Sequence, residues 1–214
     1  MTGDDMQVTP DHYDWKYSKK DRWASYWHQI DEVMAGEPKT CLEIGVGSGV
    51  VTTMLRRCGV SVTTVDIDDR LGADRVGSVL DLPAADREFE VVLCAQVLEH
   101  LPWDQFPMAL AELARVAERR VVISLPQSGR SFKADIVLPI GNLAWQRTFQ
   151  TVVRQYHAFD GQHYWQVGSK GSWPGDVRTH MKRHFVIERE YIVPENLYHR
   201  FYVLRPHADA QLDE

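Results

Sequence analysis

The 214-residue sequence has few cysteines and no long apolar run. Its three cysteines, Cys41, Cys58 and Cys94, are far apart and form no Cys-x-x-Cys pair. Such sparse thiols are typical of a reduced, cytoplasmic protein rather than of a disulfide framework. No segment approaches the ~20 apolar residues of a membrane span, and the acidic first residues do not resemble an apolar signal segment. We therefore expect a cytoplasmic protein with no membrane partner.

Basic residues are also fewer than acidic ones. The sequence has 24 Lys and Arg and 30 Asp and Glu, which give a formal net charge of −6. A nucleic-acid-binding protein would show a basic face, so a nucleic-acid partner is not expected. The hydrophobic fraction of 44% is ordinary for a globular protein, and the length predicts one domain. Both a monomer and a homodimer are compatible with this composition.

A short strand, a glycine-rich turn and a helix are predicted in succession near residue 45. Residues 40–44 are an apolar run, Gly45, Gly47 and Gly49 follow, and residues 50–57 have helical spacing. Strand, glycine turn and helix form the first unit of a nucleotide-binding α/β sheet. Gly45 would allow the tight turn, Gly47 a close approach of backbone to ligand, and Gly49 close packing of the helix on the strand.

The spacing of the glycines distinguishes between different kinds of nucleotide-binding motif. A dinucleotide fingerprint needs its third glycine at position 50, which is Val50, and no Gly-Lys-Ser/Thr of a P-loop follows. The stretch Glu43-x-Gly45-x-Gly47-x-Gly49 instead resembles the first motif of class I S-adenosylmethionine-dependent methyltransferases. This resemblance implies that Glu43 and the three glycines bind S-adenosylmethionine, which leaves as S-adenosylhomocysteine.

The same resemblance implies an α/β fold of the Rossmann-like class I methyltransferase type. Its sheet would have seven mostly parallel strands, with an antiparallel last strand and a helical or loop cap. One domain would then cover the chain. Its parts would be an N-terminal helical cover (1–38), a cofactor-binding core (39–126), an acceptor-binding cap insertion (127–182) and a closing strand pair (183–206).

An acidic residue ends the second predicted strand, residues 61–65. Asp66 follows Gly45 by 21 residues, a position from which a carboxylate accepts hydrogen bonds from both ribose hydroxyls. A carboxylate there also selects an unphosphorylated ribose, since a 2′-phosphate would be repelled. Ile67 would then pack on the adenine. The alternative is that Asp66 only starts a turn.

Further cofactor contacts are implied on either side of the predicted strand 89–94. In the methyltransferases that the chain resembles, an acid just before this strand reads the exocyclic amine of adenine, and Asp81, with Leu82, has that position. A turn-capping role is the alternative for Asp81. Residues 95–101, Ala-Gln-Val-Leu-Glu-His-Leu, closely resemble the matching segment of the small-molecule (type 11-like) group. Gln96 should lie near the methionine part of the cofactor.

Aromatic residues accompany an amphipathic segment, residues 11–34, near the N-terminus. Tyr13, Tyr17 or Trp23 could close over the bound cofactor, or these rings could simply cover the edge of the sheet. We include Tyr17 among the predicted cofactor contacts.

The predicted cap is dense in aromatic rings and histidines between residues 156 and 165. It also contains a helix-like run over residues 143–156, and long loops inside a domain usually carry function. We expect the acceptor to contact Tyr156, His163, Tyr164 and Trp165.

Methyl transfer requires mainly alignment and exclusion of water, but a hydroxyl acceptor must also lose a proton to a base. Histidine is suited to that task near neutral pH. The candidates are His163, then His157 and His100. His163 comes first because Tyr164 and Trp165 would shield it from water. The histidines lack the short spacing of zinc ligands, so no metal is predicted.

The sequence therefore predicts an enzyme that methylates a small-molecule acceptor, first of all a hydroxyl of a sugar or natural product. A carboxylate or amine acceptor with the same cofactor is one alternative. The other is a methyltransferase-like binding protein without turnover.

Overall fold

The computed structural model describes residues 10–137, 144–151 and 157–208. These residues contain four α-helices, α1 (Lys20–Met34), α2 (Val50–Arg57), α3 (Phe106–Val116) and α4 (Pro174–Met181). The strands are β1 (Thr40–Ile44), β2 (Ser61–Asp66), β3 (Arg75–Val76), β4 (Phe89–Ala95), β5 (Ala117–Pro126), β6 (Arg130–Val137), β7 (Ala144–Thr151), β8 (Phe185–Val193) and β9 (Asn196–Pro206). None of the described helices is long and apolar enough to cross a membrane.

Seven strands form one sheet in the order β3-β2-β1-β4-β5-β9-β8. The pairs from β3 through β5 are parallel, and β9 runs antiparallel to both of its neighbours. The predicted seven-stranded sheet with an antiparallel last strand is confirmed. The order of the strands reverses next to β1, where an open α/β sheet forms its ligand crevice.

Helices cover both faces of this sheet because its central strands are apolar on both sides. On one face, Leu42 of β1 packs in a buried cluster with residues of α3 and α4, including Phe106 and Met181. On the other face, Cys41 packs with residues of α1 and α2, including Tyr26 and Leu55. Neighbouring residues of β1 therefore belong to opposite halves of the core.

The cap contains a β-hairpin where the sequence predicted a helix. β6 and β7 pair antiparallel, with Phe132 opposite Phe149 and Ile136 opposite Trp145. The prediction of a helix over residues 143–156 is therefore wrong for residues 144–151. The four-residue spacing of Trp145 and Phe149 fits one face of a helix, but it equally fits one face of a strand. Pairing with a second strand decides between the two.

Candidate active site

A cavity of about 300 Å³ lies at the carboxyl ends of β1, β2 and β4. Its floor is the turn that follows β1, and one wall is the end of β2. The segments 77–79 and 95–97 form the other wall, and tyrosine side chains that precede or belong to α1 cover it. The predicted cofactor residues that line it are Tyr17, Glu43, Gly45, Gly47, Asp66, Ile67 and Gln96.

The turn after β1 needs glycine for two different reasons. Gly45 has a φ of 83°, and a Cβ there would lie 2.5 Å from Cγ2 of Val97. Gly49, the N-cap of α2, has a φ of 68°, but a Cβ on it would meet nothing within 4 Å. The prediction that Gly49 permits close packing is therefore wrong, and its left-handed conformation is what favours glycine.

Glu43 connects the first strand to the helix behind the turn. The hydroxyl of Thr52 in α2 donates a hydrogen bond to Glu43 Oε2. Burial raises the pKa of Glu43 to about 7, although the bond from Thr52 opposes this shift. Glu43 thus fixes the position of α2 against β1 beneath the cavity.

Asp66 presents its carboxylate to the cavity in a fixed orientation. The residue is 9% exposed, and its Oδ2 accepts a hydrogen bond of 2.9 Å from the amide of Val46. Its Oδ1 accepts one of 3.0 Å from the amide of Asp68. Each carboxylate oxygen has two lone pairs, so each keeps an acceptor position for a ligand. Two such positions match a pair of neighbouring hydroxyls.

The segment before β4 does not place its acidic residue in the cavity. Asp81 is exposed, and its amide donates to the carbonyl of Ser78 at 3.0 Å. Leu82 is buried in the core. Gly77, Ser78 and Val79 line the cavity instead. The sequence reasoning missed these three residues, because the strand that precedes them, β3, is only two residues long.

Gln96 is held in an uncommon conformation at the end of β4. Its φ is 57°, and its amide donates to the carbonyl of Ser124 at 2.9 Å. Its side-chain Nε2 lies 3.1 Å from Ser124 Oγ, where it donates a second bond. Strained backbone of this kind is concentrated at ligand sites.

Three tyrosines cover the cavity, namely Tyr13, Tyr17 and Tyr26. The rings of Tyr13 and Tyr17 meet edge to face, with centroids 5.1 Å apart. Arg22 holds Tyr17 in place, since its Nη1 donates to Tyr17 Oη at 2.8 Å and its guanidinium lies over the ring. Trp23 is 45% exposed and does not line the cavity. The tyrosines at the cavity favour the closing role over simple edge coverage.

Comparisons with known proteins agree with this architecture. Residues 42–124 match a protein-family model described as a methyltransferase domain. The chain is 28% identical to chloroplastic magnesium protoporphyrin IX methyltransferase of Arabidopsis thaliana, over 53% of this chain and only 39% of that protein. Residues 42–124 are therefore similar to a methyltransferase domain.

Two solved structures share the fold of this chain. The PH0226 protein of Pyrococcus horikoshii OT3 superposes with a TM-score of 0.63 at 15% identity, over 94% of this chain and 97% of that one. The 1,6-didemethyltoxoflavin-N1-methyltransferase of Burkholderia thailandensis gives 0.58 at 21% identity, over 90% and 80% of the two chains. That structure contains S-adenosylhomocysteine. These findings agree with the predicted methyltransferase fold.

The three candidate histidines are arranged differently from the predicted order. His100 lines the cavity, whereas His163 and His157 do not. His163 lies behind His100, with ring centroids 5.0 Å apart, and His157 Nε2 lies 3.0 Å from the carbonyl oxygen of His163. Burial lowers the pKa of His163, and it lowers that of His100 to about 4. Both rings are therefore neutral near pH 7.

The aromatic residues of the cap divide into two groups. Trp165 is 4% exposed, and its Nε1 donates to the carbonyl of Leu101 at 3.0 Å. It packs in the core against Trp103 and Phe106, so its predicted contact with the acceptor is wrong. Tyr164 is partly exposed and packs on Phe159. The predicted acceptor contact Tyr156 lies outside the described residues.

Proposed function

We propose that this protein transfers the methyl group of S-adenosylmethionine to an oxygen atom of a small-molecule acceptor. The observation that carries the proposal is the cavity at the carboxyl ends of β1, β2 and β4, into which Asp66 presents a carboxylate fixed by two backbone amides. The cofactor supplies an electrophilic methyl group on a sulfonium.

The residues that line the cavity fit such a nucleoside. Asp66 would accept hydrogen bonds from the ribose hydroxyls, and Ile67 and Val79 provide apolar contacts for a base. The backbone at Gly45 and Gly47 leaves room for the amino-acid part of the ligand, because neither residue has a Cβ. Tyr13 and Tyr17 would exclude water from the reacting atoms.

A hydroxyl of a sugar or natural product is the acceptor that we propose. A hydroxyl is a weak nucleophile until its proton is removed, so a site for it needs a group that assists this loss. The neutral imidazole of His100 reaches the cavity, and that of His163 supports it from behind. A carboxylate acceptor would need no such group.

Binding of the cofactor tests the proposal directly. Calorimetric titration should show micromolar binding of S-adenosylmethionine and S-adenosylhomocysteine and no binding of NAD. Asp66→Asn should weaken binding roughly 10- to 100-fold, because each charge-assisted hydrogen bond contributes about 1.5–3 kcal/mol. Asp81→Asn is the matched control, since Asp81 is exposed outside the cavity and should leave the affinity unchanged. Equal effects of the two substitutions would refute the ribose role of Asp66.

The acceptor class can be read from the chemistry of the product. With methyl-labelled cofactor and a panel of hydroxy, carboxy and amino compounds, an ether product survives mild base, whereas a methyl ester releases methanol. Label in esters or amines alone would overturn the hydroxyl proposal. Cofactor binding without label in any compound would favour a binding protein that lacks turnover.

A further inference from the structure

Three potential metal ligands converge beside the cavity. Glu99 and His100 lie on the single helical turn Leu98–His100 that follows β4, and His163 lies in the cap. One ligand atom from each residue lies within 4.8 Å of those of the other two. His100 is the member of this group that lines the cavity.

Glu99 is the most unusual member of this cluster. It has 0% exposure, and within the described residues neither of its carboxylate oxygens has a hydrogen-bond partner in another residue. A buried carboxyl group without a partner is costly, because water solvates it well and an apolar interior does not. A cation bound at both oxygens, or at one, would offset that cost.

His100 is oriented as a metal ligand would be. Its Nδ1 lies 2.9 Å from the carbonyl oxygen of Gln162. A carbonyl oxygen only accepts, so Nδ1 carries the hydrogen and the lone pair of the neutral ring lies on Nε2. Metal-bound histidines commonly donate their other ring nitrogen to a backbone carbonyl in this way.

His163 is held in position by hydrogen bonds of its main-chain groups to two neighbouring side chains. Its amide donates to Asp160 Oδ1 at 2.8 Å, and its carbonyl accepts from His157 Nε2 at 3.0 Å. The amide of Gln162, whose carbonyl orients His100, donates to the same Asp160 oxygen at 3.0 Å. Asp160 therefore fixes the main chain at His163 and also the main chain at Gln162, whose carbonyl orients His100.

We propose that Glu99, His100 and His163 bind a divalent transition-metal ion, with an open coordination position toward the cavity. Two imidazoles and one carboxylate suit Zn²⁺, Mn²⁺ or Co²⁺ better than Mg²⁺ or Ca²⁺, which prefer oxygen ligands alone. The cluster departs from the sequence expectation of no metal, because the ligands come from two segments that only the fold brings together.

The ion would change the role of the histidines in the proposed function. A ring nitrogen that binds a metal has no lone pair left for a proton, so neither His100 nor His163 would act as a base. An acceptor hydroxyl that binds the open position would have a lowered pKa, and it would release its proton to bulk water as it binds, before the tyrosines close over the site. This role rests on the proposed function, whereas binding of the ion does not.

Metal titration of the whole chain tests the site. After treatment with a chelator, calorimetry with Zn²⁺ and Mn²⁺ should show one ion per chain for at least one of the two. Co²⁺ should give visible absorption bands typical of nitrogen and oxygen ligands. Glu99→Gln and His163→Ala should weaken binding at least ~100-fold, since loss of a residue that only orients a ligand already costs 10- to 100-fold.

His28→Ala is the matched control, because His28 lies 3.4 Å from Glu195 Oε2 outside the cluster. It should bind the ion as the unmodified protein does. Circular dichroism and binding of S-adenosylhomocysteine show that each variant is folded, and the latter tests the proposed function separately. Absence of stoichiometric binding, or equal affinity in the folded Glu99 or His163 variant, would overturn the proposed site.

Discussion

Gly45→Ala tests how the turn after β1 shapes the cavity. Alanine at this position would have a φ of 83°, in the left-handed region, which costs about 1–2 kcal/mol for a residue with a Cβ. The new Cβ would also lie 2.5 Å from Cγ2 of Val97. Val97 is β-branched and cannot rotate away freely, so overpacking adds about 1–3 kcal/mol.

The expected loss in the free energy of unfolding is therefore about 2–5 kcal/mol for Gly45→Ala. For a chain of this length, the corresponding fall in Tm is roughly 4–20 °C. Gly59→Ala is the matched control, because its φ is 88° and a Cβ there would meet nothing within 4 Å. Its free energy of unfolding should fall by only about 1–2 kcal/mol, which is the cost of the left-handed backbone conformation alone.

The contact with Val97 can be measured separately by a double-mutant cycle. Urea unfolding of Gly45→Ala, Val97→Ala and the double variant should give a coupling energy of about 1–3 kcal/mol, since removal of the valine methyl groups relieves the overlap. Calorimetry should also show weaker binding of S-adenosylhomocysteine to Gly45→Ala. Equal losses for Gly45→Ala and Gly59→Ala, with no coupling to Val97, would refute the close contact.

Two further predictions concern partly buried hydrogen bonds made by side chains that do not line the cavity. Tyr191 donates to Glu32 Oε1 at 2.7 Å, and Glu32 is 1% exposed. Tyr191→Phe should lower the free energy of unfolding in urea by about 1.5–3 kcal/mol; an unchanged midpoint would contradict a contribution from this bond. Trp165→Phe leaves the carbonyl of the half-buried Leu101 without its donor. It should lower thermal stability by at least ~1 kcal/mol while binding of S-adenosylhomocysteine is retained; lost binding in a folded variant would show that Trp165 contributes to the site.

The sequence by itself determined the part of the protein whose signals are local. β1 has the predicted bounds, because an apolar run and the glycines that end it are contiguous in the chain. Asp66 could be placed at the cavity for the same reason, since the carboxyl ends of neighbouring parallel strands always meet at one edge of the sheet. Gln96, which directly follows β4, could be placed by this rule as well.

Only the tertiary structure decided what depends on contacts between distant segments. The strand β7 is a strand because β6 pairs with it, and Trp165 is a core residue because α3 packs beside it. Which histidine lines the cavity, and how the Glu99 carboxyl group is buried, depend likewise on where the cap meets the turn after β4. Periodicity and spacing describe neighbours along the chain, whereas burial, partner atoms and the convergence of ligands are properties of the packed molecule.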